Sequence, residues 1–509
     1  MVCHHDLVTA SDTSPSNRLR ARERFGRIEP AAATLAVVAL VWIVVFSVLV
    51  VRRHEGFWDF DFDMGIQDQS VWLLARGRGF LTVRGLQVFG HHFSPGYFLL
   101  SPASWLGSGP NFLNVLQVNV LALGTVPLFL LARDRGIAPW PSAALGAAFL
   151  LHPAVQFFSW ELFHPEVIAI TPLLCAYLCA RRRSWRWFAA WTLLAICWKE
   201  DVALVVIVLG LIVAWRGDRR IGLATAGLAL AWFVAVTIVL LPAINGGALQ
   251  SEGIYSGVGG SAGGVLSTAF SDPGAITSRV FAGGSADFAW RLLLPFGLAP
   301  LLAPLVVVVG VPQFLLNVVS DVPWTRTIST HYAALPIAAL ALATVEGAGL
   351  VARRFGTRRP MLSVAVPCLV LGCALYGTLA WGPSPVSAKY RGGWWPPVVD
   401  TRIDAKQDAI AAVPRDASVS AVYTMVPHLS RRAEIYSFPN PWRPSYYGVP
   451  GSPRRDPARV EWLVVDRQVL DTEASALLES VLSGRADDGG RFRIVLDRAD
   501  VLVARRARA

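Results

Sequence analysis

The chain has 509 residues, 54% of them hydrophobic and only 16% charged, with a formal net charge of +11. A soluble globular chain carries about a quarter charged residues, so this composition excludes an ordinary soluble enzyme and points to a bilayer. The positive charge does not signal nucleic acid, because the arginines cluster beside apolar runs, where they anchor helix ends and set orientation. The six cysteines (Cys3, Cys175, Cys179, Cys197, Cys368, Cys373) show neither zinc spacing nor a secreted disulfide framework.

In chain order, residues 1–30 read as a disordered cytoplasmic tail leading into an uncleaved first span. Spans are expected near 32–51, 112–132, 141–158, 165–180, 186–198, 201–216, 220–242, 291–304, 305–320, 331–351 and 361–382. An apolar run of about 20 residues crosses about 30 Å of hydrocarbon, and the pairs 186–198/201–216 and 291–304/305–320 are short enough to be re-entrant hairpins instead. Arg18, Arg20, Arg22, Arg24 and Arg27 hold the N-terminus in the cytoplasm. Counting spans then brings Arg133/Arg135, Arg181–Arg183, Arg216 with Arg219/Arg220, and Arg353/Arg354 with Arg358/Arg359 to that same face. Arg52 and Arg53 are the one local violation.

This predicts an all-α polytopic transmembrane bundle of about eleven spans over 31–382, in the plasma membrane, with outer loops 52–111 and 243–290. A small extracytoplasmic α/β domain is expected over 383–509. The glycine- and serine-rich middle loop (Gly246–Gly247, Gly259–Gly260, Gly263–Gly264) is expected to be mobile or to fold over a ligand. In the last segment, Ile403–Val413 and Ser475–Leu482 read as helices, and Ser418–Tyr423 and Trp462–Val465 as strands. Arg491–Leu496 and Val501–Ala504 read as a hairpin, and Trp394-Trp-Pro-Pro397 as a membrane-packing segment.

The densest chemistry lies in the first outer loop, Trp58–Trp72, where Asp59, Asp61, Asp63 and Asp68 alternate with aromatic residues. Met64–Ala75 has the pattern of a short amphipathic helix lying along the membrane interface. Its bland reading makes Asp63 the helix N-cap and the other acids a solvated face. Further ionisable residues stand at other outer junctions: His91-His92, Glu161 with His164 and Glu166, Lys199-Glu200-Asp201, and Asp321, Arg326, His331 and Tyr332. Such groups beside hydrocarbon are costly unless paired or functional, and their recurrence at one face favours an outward-opening polar cavity.

Phe62-Asp-Met-Gly65 with Asp68-Gln69 and Trp72, His92-Phe-Ser-Pro95, Phe163-His-Pro165, Lys199-Glu-Asp201 and His331-Tyr332 occur in that order. With Pro427-His-Leu-Ser-Arg-Arg432, Ile435-Tyr436 and Phe438-Pro439, they resemble the family called domain of unknown function 2079, over roughly residues 55–470. That family resembles the glycosyltransferase C (GT-C) superfamily, which implies a polyprenyl-phosphate sugar donor and an acidic base in the first outer loop. Carried over, the resemblance implies Asp63 as base, with Asp68 and Asp61 as second choices. Some superfamily members have an adjacent acidic pair, whereas here the acids alternate with phenylalanine.

The expected reaction is an inverting transfer of a sugar to an envelope glycan, lipid or protein. Lys199, Arg326 and His331 are the expected phosphate partners. His92 and His164 would bind phosphate or an acid, or ligate an optional divalent cation with Asp61 or Glu161; Glu200, Asp201 and Tyr332 complete the expected binding set. The competing class is a non-enzymatic transporter, flippase or scaffold for envelope lipids. No internal repeat supports a secondary transporter, and the acids gather at one face rather than at mid-membrane.

Overall fold

A computed structural model describes residues 29–247, 253–260, 262–356, 358–391, 395, 402–449, 452 and 455–507. The tail expected over 1–30 therefore lies outside the described residues apart from Glu29 and Pro30, as does Trp394–Pro397 apart from the buried Trp395.

Among the described residues, five helices are long and apolar enough to cross a bilayer: Pro30–Glu55, Pro110–Asp134, Arg219–Ile244, His331–Phe355 and Pro360–Trp381. The apolar pair Pro139–Leu151 and Pro153–Trp160 is bent by 45°, the geometry of a broken span or a re-entrant loop. Pro153 causes the bend, since its ring disfavours helix at the preceding residue and it has no N–H to donate. Proline also opens the helices starting at Pro30, Pro110, Pro139 and Pro360, where its fixed φ suits the first turn. Asp218 starts another by accepting from the amides of Arg220 and Ile221 at 2.9 and 3.0 Å.

The other five expected spans are shorter or broken. Residues 165–180 divide into Pro165–Ile168 and Ile170–Arg181, while Trp185–Ile196 and Val202–Arg216 are single short helices. Twelve residues rise only about 18 Å. The stretch 291–320 breaks into short helical pieces because Pro295, Pro300, Pro304 and Pro312 interrupt it and Gly297 and Leu298 take positive φ. Helix Val202–Arg216 packs tightly on Arg219–Val234 through Gly210 and Gly222. A Cβ on Gly222 would stand 2.1 Å from the Ala214 amide nitrogen.

Burial ranks the spans. His331–Phe355 is central, with 83% of its apolar window buried, against 28% for Pro30–Glu55 and 17% for Arg219–Ile244. Val37, Leu40, Val41, Val44 and Val48 of the first span stay exposed, which fits a lipid-facing side.

The basic clusters meet at one end of this bundle. Arg135 and Arg181 reach Glu346 at 2.5 and 3.6 Å, and Arg353 bonds the Arg135 carbonyl at 3.5 Å. Arg181, Arg183 and Arg216 line a common cavity there. His331 opens the central helix toward the opposite end, about 22 Å from Glu346 by helix rise.

The glycine-rich segment is largely helical where described, with helices Ala262–Ser271 and Pro273–Val280. Asp321 holds it, accepting from the Gly257 amide at 2.8 Å, from Ser256 at 3.0 Å and from Arg279 at 2.5 Å.

The C-terminal unit is α/β, as its patterning predicts. Strands β1 (Phe80–Leu81) and β2 (Leu86–Gln87) form a hairpin in the first loop, and the C-terminal sheet has the order β4-β3-β5-β7-β6. Here β3 is Val419–Ala421, β4 Ile435–Ser437, β5 Trp462–Asp466, β6 Phe492–Arg498 and β7 Val501–Arg506. The parallel strands β3, β4 and β5 are buried throughout, as parallel strands covered on both faces must be. Helices Ile403–Ala412 and Thr472–Leu482 match the expected positions.

Three expectations for the first loop are corrected. Asp61–Gly65 is a wide π-helical turn running into the helix Ile66–Leu74, and Asp63 makes no capping bond. That helix does not lie on an interface: Ile66, Gln67, Asp68, Gln69, Ser70, Val71 and Leu73 are all buried. The C-terminal unit covers it. Gln69 bonds the Arg432 carbonyl at 3.2 Å, and a Cβ on Gly65 would stand 2.9 Å from Val426. Nor are the neighbouring acids a solvated face, since Asp59, Asp61 and Asp68 are at most 3% exposed.

Candidate active site

The end of the bundle opposite the basic clusters gathers side chains from four junctions. Asp63 comes from the π turn, Glu161, His164 and Glu166 from the break between short helices, Lys199 from the loop before Val202, and His331 from the start of the central helix. Asp63 Oδ1 lies 3.4 Å from His164 Nε2, with 33% of the Asp63 side chain open. The His164 and His331 rings stack at 4.0 Å and 16°. His331 Nδ1 meets Glu161 Oε1 at 3.0 Å, and its Nε2 is 3.5 Å from Glu166 Oε1.

The electrostatics follow. Desolvation opposes ionisation of Asp63 but is outweighed by the hydrogen bond and charge of His164, with His331 and Arg53 helping, so its carboxyl lies below the usual range. Burial likewise opposes the His164 imidazolium. The charges of Glu161 and Asp63 overcome it and push the pKa up to about 9. Burial dominates at Asp61, raising it to about 6 against a Ser437 hydrogen bond.

Asp61 and Asp63 open onto a cavity of about 430 Å³ between the first loop and the C-terminal unit. Phe60 and Phe62 form one wall, and Tyr423, Ser437–Asn440, Ser445 and Tyr446 the other. Phe62 meets Tyr446 edge-on at 5.8 Å, and Phe60 lies 5.6 Å from Tyr423.

His92, Glu200, Lys199, Asp201 and Tyr332, also drawn from the sequence, are already engaged. His92 Nδ1 pairs with Glu200 Oε1 at 2.7 Å, and Glu200 Oε2 accepts from the Phe93 amide at 3.0 Å. Lys199 is buried, with Nζ 2.6 Å from Glu166 and 3.7 Å from Asp201. The Tyr332 ring faces Lys199 at 5.7 Å, and its carbonyl accepts from Asn317 at 2.8 Å. Arg326 is half-buried, and no hydrogen bond, ion pair or ring contact among the described residues ties it to the centre.

Asp68 is turned away from the cavity. It accepts from Ser430 Oγ at 2.6 Å, which ties the first loop to the C-terminal unit. Burial raises its pKa from 3.8 to about 6. A carboxyl raised in the folded state costs no stability below its unfolded value, and the cost grows as pH rises from 3.8 to about 6. Asp68→Asn keeps an acceptor for Ser430 and removes that cost. It is expected to raise Tm by about 2–4 °C at pH 7.5 and to leave it unchanged at pH 4, read by thermal unfolding in detergent. A lower Tm at pH 7.5 would show that the charge itself is needed.

Sequence reasoning missed Arg53 and His428. Arg53 is buried, its guanidinium carbon 4.0 Å above the Trp160 ring. Its Nε and Nη1 have no hydrogen-bond partner among the described residues, and Asp59, Asp63 and Glu161 are the carboxylates near enough to act on it. Its conflict with the charge rule was the available signal: this arginine faces the site instead of setting orientation.

One ligand atom each from Glu161, His164 and His331 lies within 4.8 Å of the others. Glu161 Oε2 is buried without a hydrogen-bond partner among the described residues, so this set fits a divalent cation.

Fold and site together define a polytopic membrane protein with a buried polyionic centre at one end of its helices, capped by an α/β unit. The chain belongs to the family described as a predicted membrane protein, DUF2079, whose model matches residues 53–503. No curated protein matches the sequence. Among solved structures, ArnT from Cupriavidus metallidurans bound to undecaprenyl phosphate is 14% identical, with 93% of this chain and 98% of that chain covered and a TM-score of 0.47. Its apo state gives 14%, 94%, 98% and 0.49. The oligosaccharyltransferase of Archaeoglobus fulgidus in complex with zinc and sulfate is 13% identical, covering 85% of this chain and 67% of that one, with a TM-score of 0.38.

Proposed function

We propose that this protein is a membrane glycosyltransferase that moves a sugar from a polyprenyl-phosphate donor to an envelope acceptor on the extracytoplasmic side, with inversion. The observation that carries the reading is Asp63: an ionised, partly open carboxylate on a cavity wall, held by a cationic imidazole 3.4 Å away. The acceptor hydroxyl loses its proton to Asp63 while its oxygen bonds the anomeric carbon. The carbon–oxygen bond to the phosphate breaks, and polyprenyl phosphate leaves with the bonding pair. The aromatic cavity walls suit a sugar face of the acceptor, which gives residues 383–509 a role as an acceptor-binding extracytoplasmic domain.

The leaving phosphate needs cations. Lys199 is committed to Glu166 and Asp201, so its role is to position the Glu166–His331 pair. Arg53, with Asp63 and Glu161 near enough to act on it and two nitrogens unpartnered among the described residues, is the cation placed for the phosphate, with His331 alongside. A divalent cation held by Glu161, His164 and His331 would supply that charge in place of the His164 imidazolium, which has to give up its proton to bind it. Arg53→Gln is expected to weaken donor binding about 10- to 100-fold, the worth of a charge-assisted hydrogen bond. Isothermal titration with a polyprenyl-phosphate sugar measures it, and an unchanged affinity would remove Arg53 from the phosphate site.

The reading is tested with purified protein in lipid vesicles, offered a panel of polyprenyl-phosphate sugars and acceptors. Transfer from one donor establishes the class. Movement of a lipid across the bilayer without transfer from any donor would favour the flippase reading.

A further inference from the structure

A second cluster, separate from the Asp63 centre, joins the last turn of the first span to the C-terminal unit. His54 ends the helix Pro30–Glu55, Asp59 follows it, and His428 lies in the short helix Val426–Leu429. His54 Nδ1 is 2.5 Å from Asp59 Oδ2, while His428 Nε2 is 3.9 Å from Asp59 Oδ1. The two imidazoles stack at 4.1 Å and 10°, and Phe57 covers the other face of His428 at 3.9 Å. One ligand atom from each of the three residues lies within 4.8 Å of the others.

Two atoms in this set lack partners. Asp59 is wholly buried, yet its Oδ1 makes no hydrogen bond among the described residues, and neither does the buried Nε2 of His428. A buried carboxylate oxygen and a buried ring nitrogen that face each other across 3.9 Å are too far apart to bond directly. Left so, each bears a desolvation cost. An ion bound at about 2.0–2.2 Å from each would satisfy both. Two imidazoles and one carboxylate, with an open fourth position for water, suit zinc better than the all-oxygen shells of magnesium or calcium.

We propose that His54, Asp59 and His428 form a zinc-class divalent-cation site that fastens the C-terminal unit to the outer end of the first span. Binding opens the stacked rings so that each lone pair points at the ion, and the Asp59 carboxylate pivots away from its bond to His54. The ion is structural. It holds the lid of the 430 Å³ cavity in register with the loop carrying Asp61 and Asp63, and it does not depend on the reaction proposed above.

The test uses full-length protein in detergent, stripped with a chelator, given zinc chloride, desalted and assayed for bound metal. Wild type is expected to retain zinc, and His428→Gln and Asp59→Asn to lose about one equivalent of it. His428→Cys restores a ligand and is expected to regain it, while His164→Gln, in the other cluster, keeps this equivalent. Because a variant can fail to fold, thermal unfolding of stripped wild type is measured beside it: zinc at about a hundred times its Kd is expected to raise Tm by several degrees. No zinc retained by wild type overturns the proposal. So does zinc lost from His164→Gln but kept by His428→Gln, which assigns the ion to the other cluster.

Discussion

Asp63→Asn is expected to lower sugar transfer by about 10²- to 10⁴-fold, the usual worth of a general base. Asparagine has the same shape and can still meet His164, so insertion and abundance should match wild type. Full activity in this variant would remove Asp63 as base. A pH profile adds an independent reading. The raised pKa of His164 means that its positive charge is present below about 9 and lost above it. Wild-type transfer is therefore expected to fall as pH rises through 9, when the centre loses a positive charge that would stabilise the departing phosphate. In His164→Gln the rate should be low already and show no such limb.

Lys199→Met is expected to cost about 3–5 kcal/mol of stability, since breaking a buried pair leaves a charge uncompensated. Lys199 Nζ and Glu166 Oε1 are 2.6 Å apart, with side chains only 6% and 8% exposed. Burial works against the ammonium, but Glu166, Asp201 and Glu200 raise its pKa well above the ordinary value. A lysine raised in the folded state contributes its stability in full below its unfolded pKa, so the whole effect is present at neutral pH. Thermal unfolding in detergent measures it. The double variant Lys199→Met/Glu166→Gln should recover much of the loss, because no orphaned charge remains. If Lys199→Met melts like wild type, the pair adds nothing, and Lys199 returns to the phosphate as a candidate partner.

Glu166 shows how a site residue can be visible and still go unassigned. It stands in the Phe163-His-Pro165 neighbourhood, but its partner Lys199 is 33 residues away, and spacing gives no hint of the pairing. Asp68 shows the converse. It shares the acidic loop with Asp63 and looks equivalent in sequence, yet Ser430, 362 residues on, takes it out of the cavity.

The amino-acid sequence by itself determined the five long apolar helices, the shared end of the basic clusters and the elements of the α/β unit. These depend on local properties: the thickness of hydrocarbon, the stiffness of proline, and the periodicity of apolar residues. Residues 291–320, short enough in sequence to suggest a re-entrant hairpin, are broken further by their prolines. Tertiary structure alone decided which acid faces His164, that Arg53 turns inward, and that His428 meets His54 and Asp59. It also buried the helix Ile66–Leu74, which looks amphipathic until the C-terminal unit covers its polar face. The physical reason is range: burial and ionic pairing depend on groups hundreds of residues apart, whereas chain periodicity reports only on neighbours.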